Sequence, residues 1–143
     1  MVTKRGTAGD DSLWGGPDGD QLYGLDGKDI IHGWGGNDYV HGGRGSDVLY
    51  GDGGNDTIIG DWGKDRLYGG DGKDTLLGEV GDDELSGGAG DDSLRDGNGS
   101  PGLRCRGRDG AASVCRSTRT SGRRRVHHSG RIPTPQRPRR RVC

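Results

Sequence analysis

Ten aspartates recur every nine residues between Gly6 and Arg95: Asp11, Asp20, Asp29, Asp38, Asp47, Asp56, Asp65, Asp74, Asp83 and Asp92. Of the histidines and cysteines only His32 and His41 share that spacing, over two units alone. Carboxylates repeated at one spacing are hard oxygen donors, and the chemistry open to them is the binding of hard cations. The same frame surrounds each one. The units GTAGDDSLW, GGPDGDQLY, GLDGKDIIH, GWGGNDYVH, GGRGSDVLY, GDGGNDTII, GDWGKDRLY, GGDGKDTLL, GEVGDDELS and GGAGDDSLR all have Gly first, Asp sixth and an aliphatic residue eighth. The aliphatics are Leu13, Leu22, Ile31, Val40, Leu49, Ile58, Leu67, Leu76, Leu85 and Leu94, and Gly also stands fourth except at Asp18 in the second unit. A fixed period of this length is the sequence sign of a solenoid.

Other chemistries fail on the same residues. The Gly-Lys pairs at Gly27-Lys28, Gly63-Lys64 and Gly72-Lys73 are followed by Asp29, Asp65 and Asp74, where a phosphate loop needs Ser or Thr for magnesium. The twelve-residue calcium loop with a closing Glu is missing. His32 and His41 fall in adjacent units and hence on opposite sides of a two-sided coil, so they form no joint metal or base site. No catalytic set emerges, and the expectation is a module that is not an enzyme.

The elements that position the aspartates follow from the period. Six residues with two glycines read as a tight turn, and the last three, such as Val48 to Tyr50, read as a short strand. Strand alternation sends the apolar eighth side chain inward and the seventh and ninth outward. Two strands and two turns close a coil of 18 residues, with odd units stacked on one side and even units on the other, about 4.8 Å apart. The aspartates then form two columns, Asp11, Asp29, Asp47, Asp65 and Asp83 in one and Asp20, Asp38, Asp56, Asp74 and Asp92 in the other. Like charges at that separation repel unless cations lie between them, and turn carbonyls point into the same space. An oxygen-rich, roomy cage favours calcium over magnesium.

These units resemble the RTX (repeats-in-toxin) nonapeptide G-G-x-G-x-D-x-U-x over residues 6 to 95. The resemblance implies an all-β fold, a parallel β-roll or right-handed β-helix solenoid of ten units. It also implies Ca²⁺ held between turns of one column by the ten sixth-position Asp side chains and loop carbonyls. If each ion needs a turn and the next one in its column, ten units give about eight sites. Asp18 either takes up or avoids a left-handed conformation, which puts the sites of Asp20, including its pairing with Asp38, in question. The first unit is expected to fray. Asp26, Asp52, Asp61, Asp71 and Glu79 are read as second-rank acids, giving water-mediated contacts or field only.

Composition fits a chain that folds on its ion. Residues 1 to 95 hold 8 Lys and Arg against 20 Asp and Glu, a net −12, and only one core aliphatic per unit. Burial alone does not fold so thin a core, and binding energy becomes folding energy. The resemblance further implies an extracellular or cell-surface location, passage through a type I secretion apparatus and membership in a larger exported toxin, protease, lipase or surface protein. No stretch is apolar enough to serve as a signal peptide or to span a membrane.

Trp14, His32, Tyr50 and Tyr68 share the ninth position of odd units. The bland reading is rings that cover a sheet and stack on one another; the sharper one is a platform for polysaccharide or a neighbouring domain.

The domain expectation is a calcium-binding roll over residues 1–95 and a basic, disordered tail over 96–143. That tail has 13 Arg against 2 Asp, a net +11, and holds Cys105, Cys115 and Cys143. Its functional reading is a polyanion- or nucleic-acid-binding arm, but no aromatic residue stands there to stack on bases. The preferred reading is a shifted reading frame, since Gly and Asp codons read out of phase give Arg, Ala, Pro and stray Cys.

Overall fold

The computed structural model describes residues 1–98, 106–107 and 114–116. Among these residues there is no helix, and the strands are β1 (Thr3–Arg5), β2 (Ser12–Gly16), β3 (Gln21–Asp26), β4 (Ile30–Trp34), β5 (Tyr39–Gly45), β6 (Val48–Gly53), β7 (Thr57–Gly63), β8 (Arg66–Asp71), β9 (Thr75–Val80), β10 (Glu84–Ala89), β11 (Ser93–Arg95), β12 (Arg106–Gly107) and β13 (Val114–Arg116). Each strand pairs in parallel with the one two places on, which gives one sheet ordered β1-β3-β5-β7-β9-β11-β13 and another ordered β12-β10-β8-β6-β4-β2. The register advances by one coil at a time. Val40 lies opposite Ile58 and Ile58 opposite Leu76 in one sheet; Ile31 lies opposite Leu49 and Leu49 opposite Leu67 in the other. The result is a parallel β-solenoid of about five coils, the architecture expected from the period.

Its core is a single file from each sheet. Leu22, Ile31, Val40, Leu49, Ile58, Leu67, Leu76, Leu85 and Leu94 are buried, and Leu13 closes one end half-covered on the edge strand β2. One aliphatic per strand suffices because inward side chains from the two sheets meet across a narrow interior.

Two features differ from the sequence reading. Strands were expected over the seventh to ninth positions only, yet β6 runs Val48–Gly53 and β7 runs Thr57–Gly63. The extended backbone continues through the first-position glycines, so alternation carries on and the sixth, eighth and next first positions all face inward. Gly51 and Gly60 are accordingly buried. Ahead of the first unit, β1 adds a rung that pairs with β3, placing Lys4 opposite Leu22. Lys4 Nζ donates to the Trp14 carbonyl at 2.5 Å and so ties β1 to β2.

Most of the segment 96–143 lies outside the described residues, including the arginine clusters, Cys105, Cys143 and the polyanion-binding arm. Of the described part, β12 continues the sheet of β10 and β13 the sheet of β11, with Leu94 opposite Cys115. No helix of the described residues is long and apolar enough to cross a membrane.

Candidate metal centre

Each aspartate enters the interior because it lies two residues before an inward-facing aliphatic. Asp20, Asp29, Asp38, Asp47, Asp56, Asp65, Asp74, Asp83 and Asp92 are all 3% exposed or less, while Asp11 is half-buried. The two predicted columns are present. Within each, an aspartate Oδ1 accepts the backbone N–H of the aspartate one coil earlier: Asp29 from Asp11, Asp47 from Asp29, Asp65 from Asp47 and Asp83 from Asp65, at 2.8 to 2.9 Å. The second column repeats this from Asp20 to Asp92 at 2.7 to 3.0 Å. One carboxylate oxygen is thus consumed in tying coil to coil.

The other oxygen is left over. Oδ2 of Asp29, Asp38, Asp47, Asp56, Asp65, Asp74 and Asp83 is buried and has no hydrogen-bond partner among the described residues. A buried carboxylate oxygen without a donor is costly, and its recurrence along both columns calls for a counter-charge. Its surroundings are oxygen. On the face of Gly42 that a Cβ would cover, Asp47 Oδ2 lies 2.5 Å and the Gly60 carbonyl oxygen 2.9 Å from the Cβ position. Gly60 repeats the arrangement with Asp65 Oδ2 and the Gly78 carbonyl. The first-position glycine is needed here for its missing side chain.

Turn conformation decides which aspartates have this free oxygen. From the third unit on, the second position has positive φ in every turn: Leu25, Trp34, Gly43, Asp52, Asp61, Gly70, Glu79 and Gly88. The fourth-position glycines, Gly27 to Gly90, do the same. The first two turns, with Thr7 and Gly9 and with Gly16 and Asp18, do not. Reversing the sign of φ at the second position is what turning over the preceding peptide does, and it replaces an inward N–H by a carbonyl. In the two unturned units the N–H remains, so Thr7 donates to Asp11 Oδ2 at 2.5 Å and Gly16 to Asp20 Oδ2 at 2.7 Å. Asp18 therefore avoids the left-handed region, and its turn closes on itself.

Electrostatics follow the burial. Desolvation is the main cause that lifts the carboxyls of Asp47 and Asp74 to about 6 and those of Asp56 and Asp65 to about 7. The backbone donor on Oδ1 opposes it, and neighbouring aspartates add to it. Asp29, Asp38 and Asp83 shift upward for the same leading reason. Asp96, assigned to the tail by its sequence, is buried too and lifted to about 6. Only its register, two residues after Leu94, signals this.

Among the described residues no group of three His, Cys, Asp or Glu side chains converges on one point. A cation in these columns would therefore take carboxylate oxygens one coil apart together with turn carbonyls, a hard donor set that fits calcium.

His32 and His41 lie on opposite sheets, in β4 and β5. Each pairs with a second-position acid on the next strand, His32 Nδ1 with Asp52 Oδ2 at 3.0 Å and His41 Nε2 with Asp61 Oδ2 at 3.3 Å. The rings of His32, Tyr50 and Tyr68 stack, with centroids 4.3 and 5.0 Å apart and planes within 13°. Trp14 continues the row by register. The stacking of His32, Tyr50 and Tyr68 is the contact expected of rings that cover the sheet.

Residues 5–40, 14–49, 41–76, 59–94 and 77–100 each match the family model that describes four copies of the RTX calcium-binding nonapeptide repeat. No curated protein and no solved structure matches the chain.

Proposed function

The chain belongs to the family of RTX calcium-binding nonapeptide repeats, and from that premise we propose that calcium entering its aspartate columns is what folds the solenoid. As a repeat solenoid of that family it is a calcium-binding module, a non-catalytic kind of domain. The buried, donorless Oδ2 atoms of Asp29, Asp38, Asp47, Asp56, Asp65, Asp74 and Asp83 carry the reading, because a cation offsets their charge at neutral pH without adding side chains.

In this reading the ions are held by Asp29, Asp38, Asp47, Asp56, Asp65, Asp74, Asp83 and Asp92 with turn carbonyls. Asp11 and Asp20 contribute less, since a backbone N–H of their own turn already occupies Oδ2. Counted between each turn and the next in its column, the ten units give about eight ions, six of them between turns whose second and fourth residues are both left-handed and two reaching the unturned first turns. Calcium supplies positive charge between stacked carboxylates; the chain supplies oxygens at coil spacing and excludes water from them. Without it, net negative charge and glycine entropy hold the chain open.

The same reading places the protein outside the cell. External calcium, at roughly 10⁻⁴ to 10⁻³ M affinity for extracellular modules, is the signal that folds it after export. A type I secretion apparatus and a parent toxin, protease, lipase or surface protein fit that context. Isothermal titration of the chelator-stripped chain with calcium and then magnesium tests the reading. About eight calcium ions and weak magnesium uptake are expected; equal uptake of both, or none, overturns it.

A further inference from the structure

The ladder of coils outlasts the nine-residue pattern. After Arg95 the next first position, Gly in all earlier units, is Asp96, and the sixth position that follows is Pro101 in place of Asp. The rung beginning at Asp96 is still in register. Asn98 N–H donates to the Glu79 carbonyl at 2.6 Å, and Gly97 takes φ of 64°. Alternation after the core residue Leu94 turns Asp96 inward, where it is 1% exposed. Its Oδ1 has no hydrogen-bond partner among the described residues. Asp83, in the preceding unit of the same column, is 2% exposed with an Oδ2 in the same condition, and Asp83 and Asp82 are the charges that act on Asp96.

Lower in the column, the space beside a first-position Cα is where the unit's own aspartate puts Oδ2, as Asp47 does at Gly42 and Asp65 at Gly60. Five residues after Asp96 the sequence has Pro101, which carries no carboxylate. A carboxyl borne by the first position itself reaches into that same space. We propose that Asp96 and Asp83 hold a terminal calcium ion at the C-terminal end of the odd-unit column, Asp96 replacing from the first position the carboxylate that the sixth position lacks. The inference rests on the calcium reading of the columns. It accounts for an acid, buried and donorless on one oxygen, at a position otherwise kept for glycine.

The test is the number of calcium ions bound per full-length chain at saturation, by equilibrium dialysis, for the unaltered chain, Asp96→Asn, Asp96→Gly and the exposed control Asp91→Asn. Asp96→Asn keeps the shape without the charge, and Asp96→Gly restores the residue found at every other first position, so it folds even where the amide does not. Both Asp96 variants should bind one ion fewer, with full β-sheet circular dichroism, while Asp91→Asn binds the full number. An unchanged count in Asp96→Gly overturns the terminal site while leaving the columns standing. No calcium uptake by the unaltered chain overturns the column reading itself, and the terminal site with it.

Discussion

The backbone N–H of Asp47 donates to Oδ1 of Asp65, eighteen residues further on, at 2.8 Å. Through this bond each aspartate serves two purposes at once: Oδ1 fixes the spacing of the coils and Oδ2 is held out for a cation. The division has consequences for substitution that differ along the column.

Asp65→Asn keeps an oxygen for the Asp47 N–H but sets an amide among oxygens that need a cation. At least one calcium site should be lost and the calcium midpoint should rise several-fold. Asp11→Asn, whose Oδ2 is already taken by Thr7, should move the midpoint little. Calcium titrations of the two variants followed by circular dichroism distinguish them, and equal effects would refute the division of roles.

Gly63→Ala meets two obstacles. Its φ is 145°, and an added Cβ would collide with the carbonyl oxygen of Gly45. Strain of this kind costs about 1–3 kcal/mol before the collision is counted. Gly16→Ala, with no positive φ and only Asp20 Oδ2 near at 3.7 Å, should be close to neutral. Thermal unfolding in saturating calcium reads both.

Leu49→Ala removes a fully buried side chain from a core with one aliphatic per strand. A loss of about 2–5 kcal/mol is expected, seen as a lower melting temperature at fixed calcium. A loss below about 1 kcal/mol would mean that the file of aliphatics is not the core.

Acid should act in opposite directions on the empty and the loaded chain. The folded carboxyls of Asp56 and Asp65 lie at about 7, above the ordinary 3.8. A folded form that holds its protons longer than the unfolded one is stabilised as pH falls, fully so below the unfolded value, and loses that stability as pH rises through the folded value. The chelator-stripped chain should therefore gain β-sheet signal between pH 7.5 and 5. Calcium competes with the same protons, so its midpoint should rise over that interval. Signal loss by the stripped chain on acidification would contradict the burial of these groups.

The two columns and the file of aliphatics were legible because strand alternation has period two and the repeat has period nine, so the sixth and eighth positions must share a face. Strand length was not, since Gly51 and Gly60 read as turn residues by propensity while in the coil they continue the ladder. The turned peptides at Leu25, Trp34, Asp52, Asp61 and Glu79 were equally hidden. Bulky side chains disfavour positive φ, and pairing with the adjacent coils, as of Asp61 with Gly43 and Glu79, overrides that preference. Asp18 did mark an unturned unit. Asp96 was missed because it stands where glycine was expected and so counted as the end of the pattern; its distance from Leu94 was the available signal.

The central claim is that calcium folds the solenoid, and far-ultraviolet circular dichroism of the chelator-stripped chain at pH 7.5 during a calcium titration tests it most directly. The account predicts little β-sheet signal without calcium and a cooperative rise at roughly 10⁻⁴ to 10⁻³ M, reversed by chelator. The same β-sheet spectrum in chelator and in calcium, or none at saturating calcium, would contradict it.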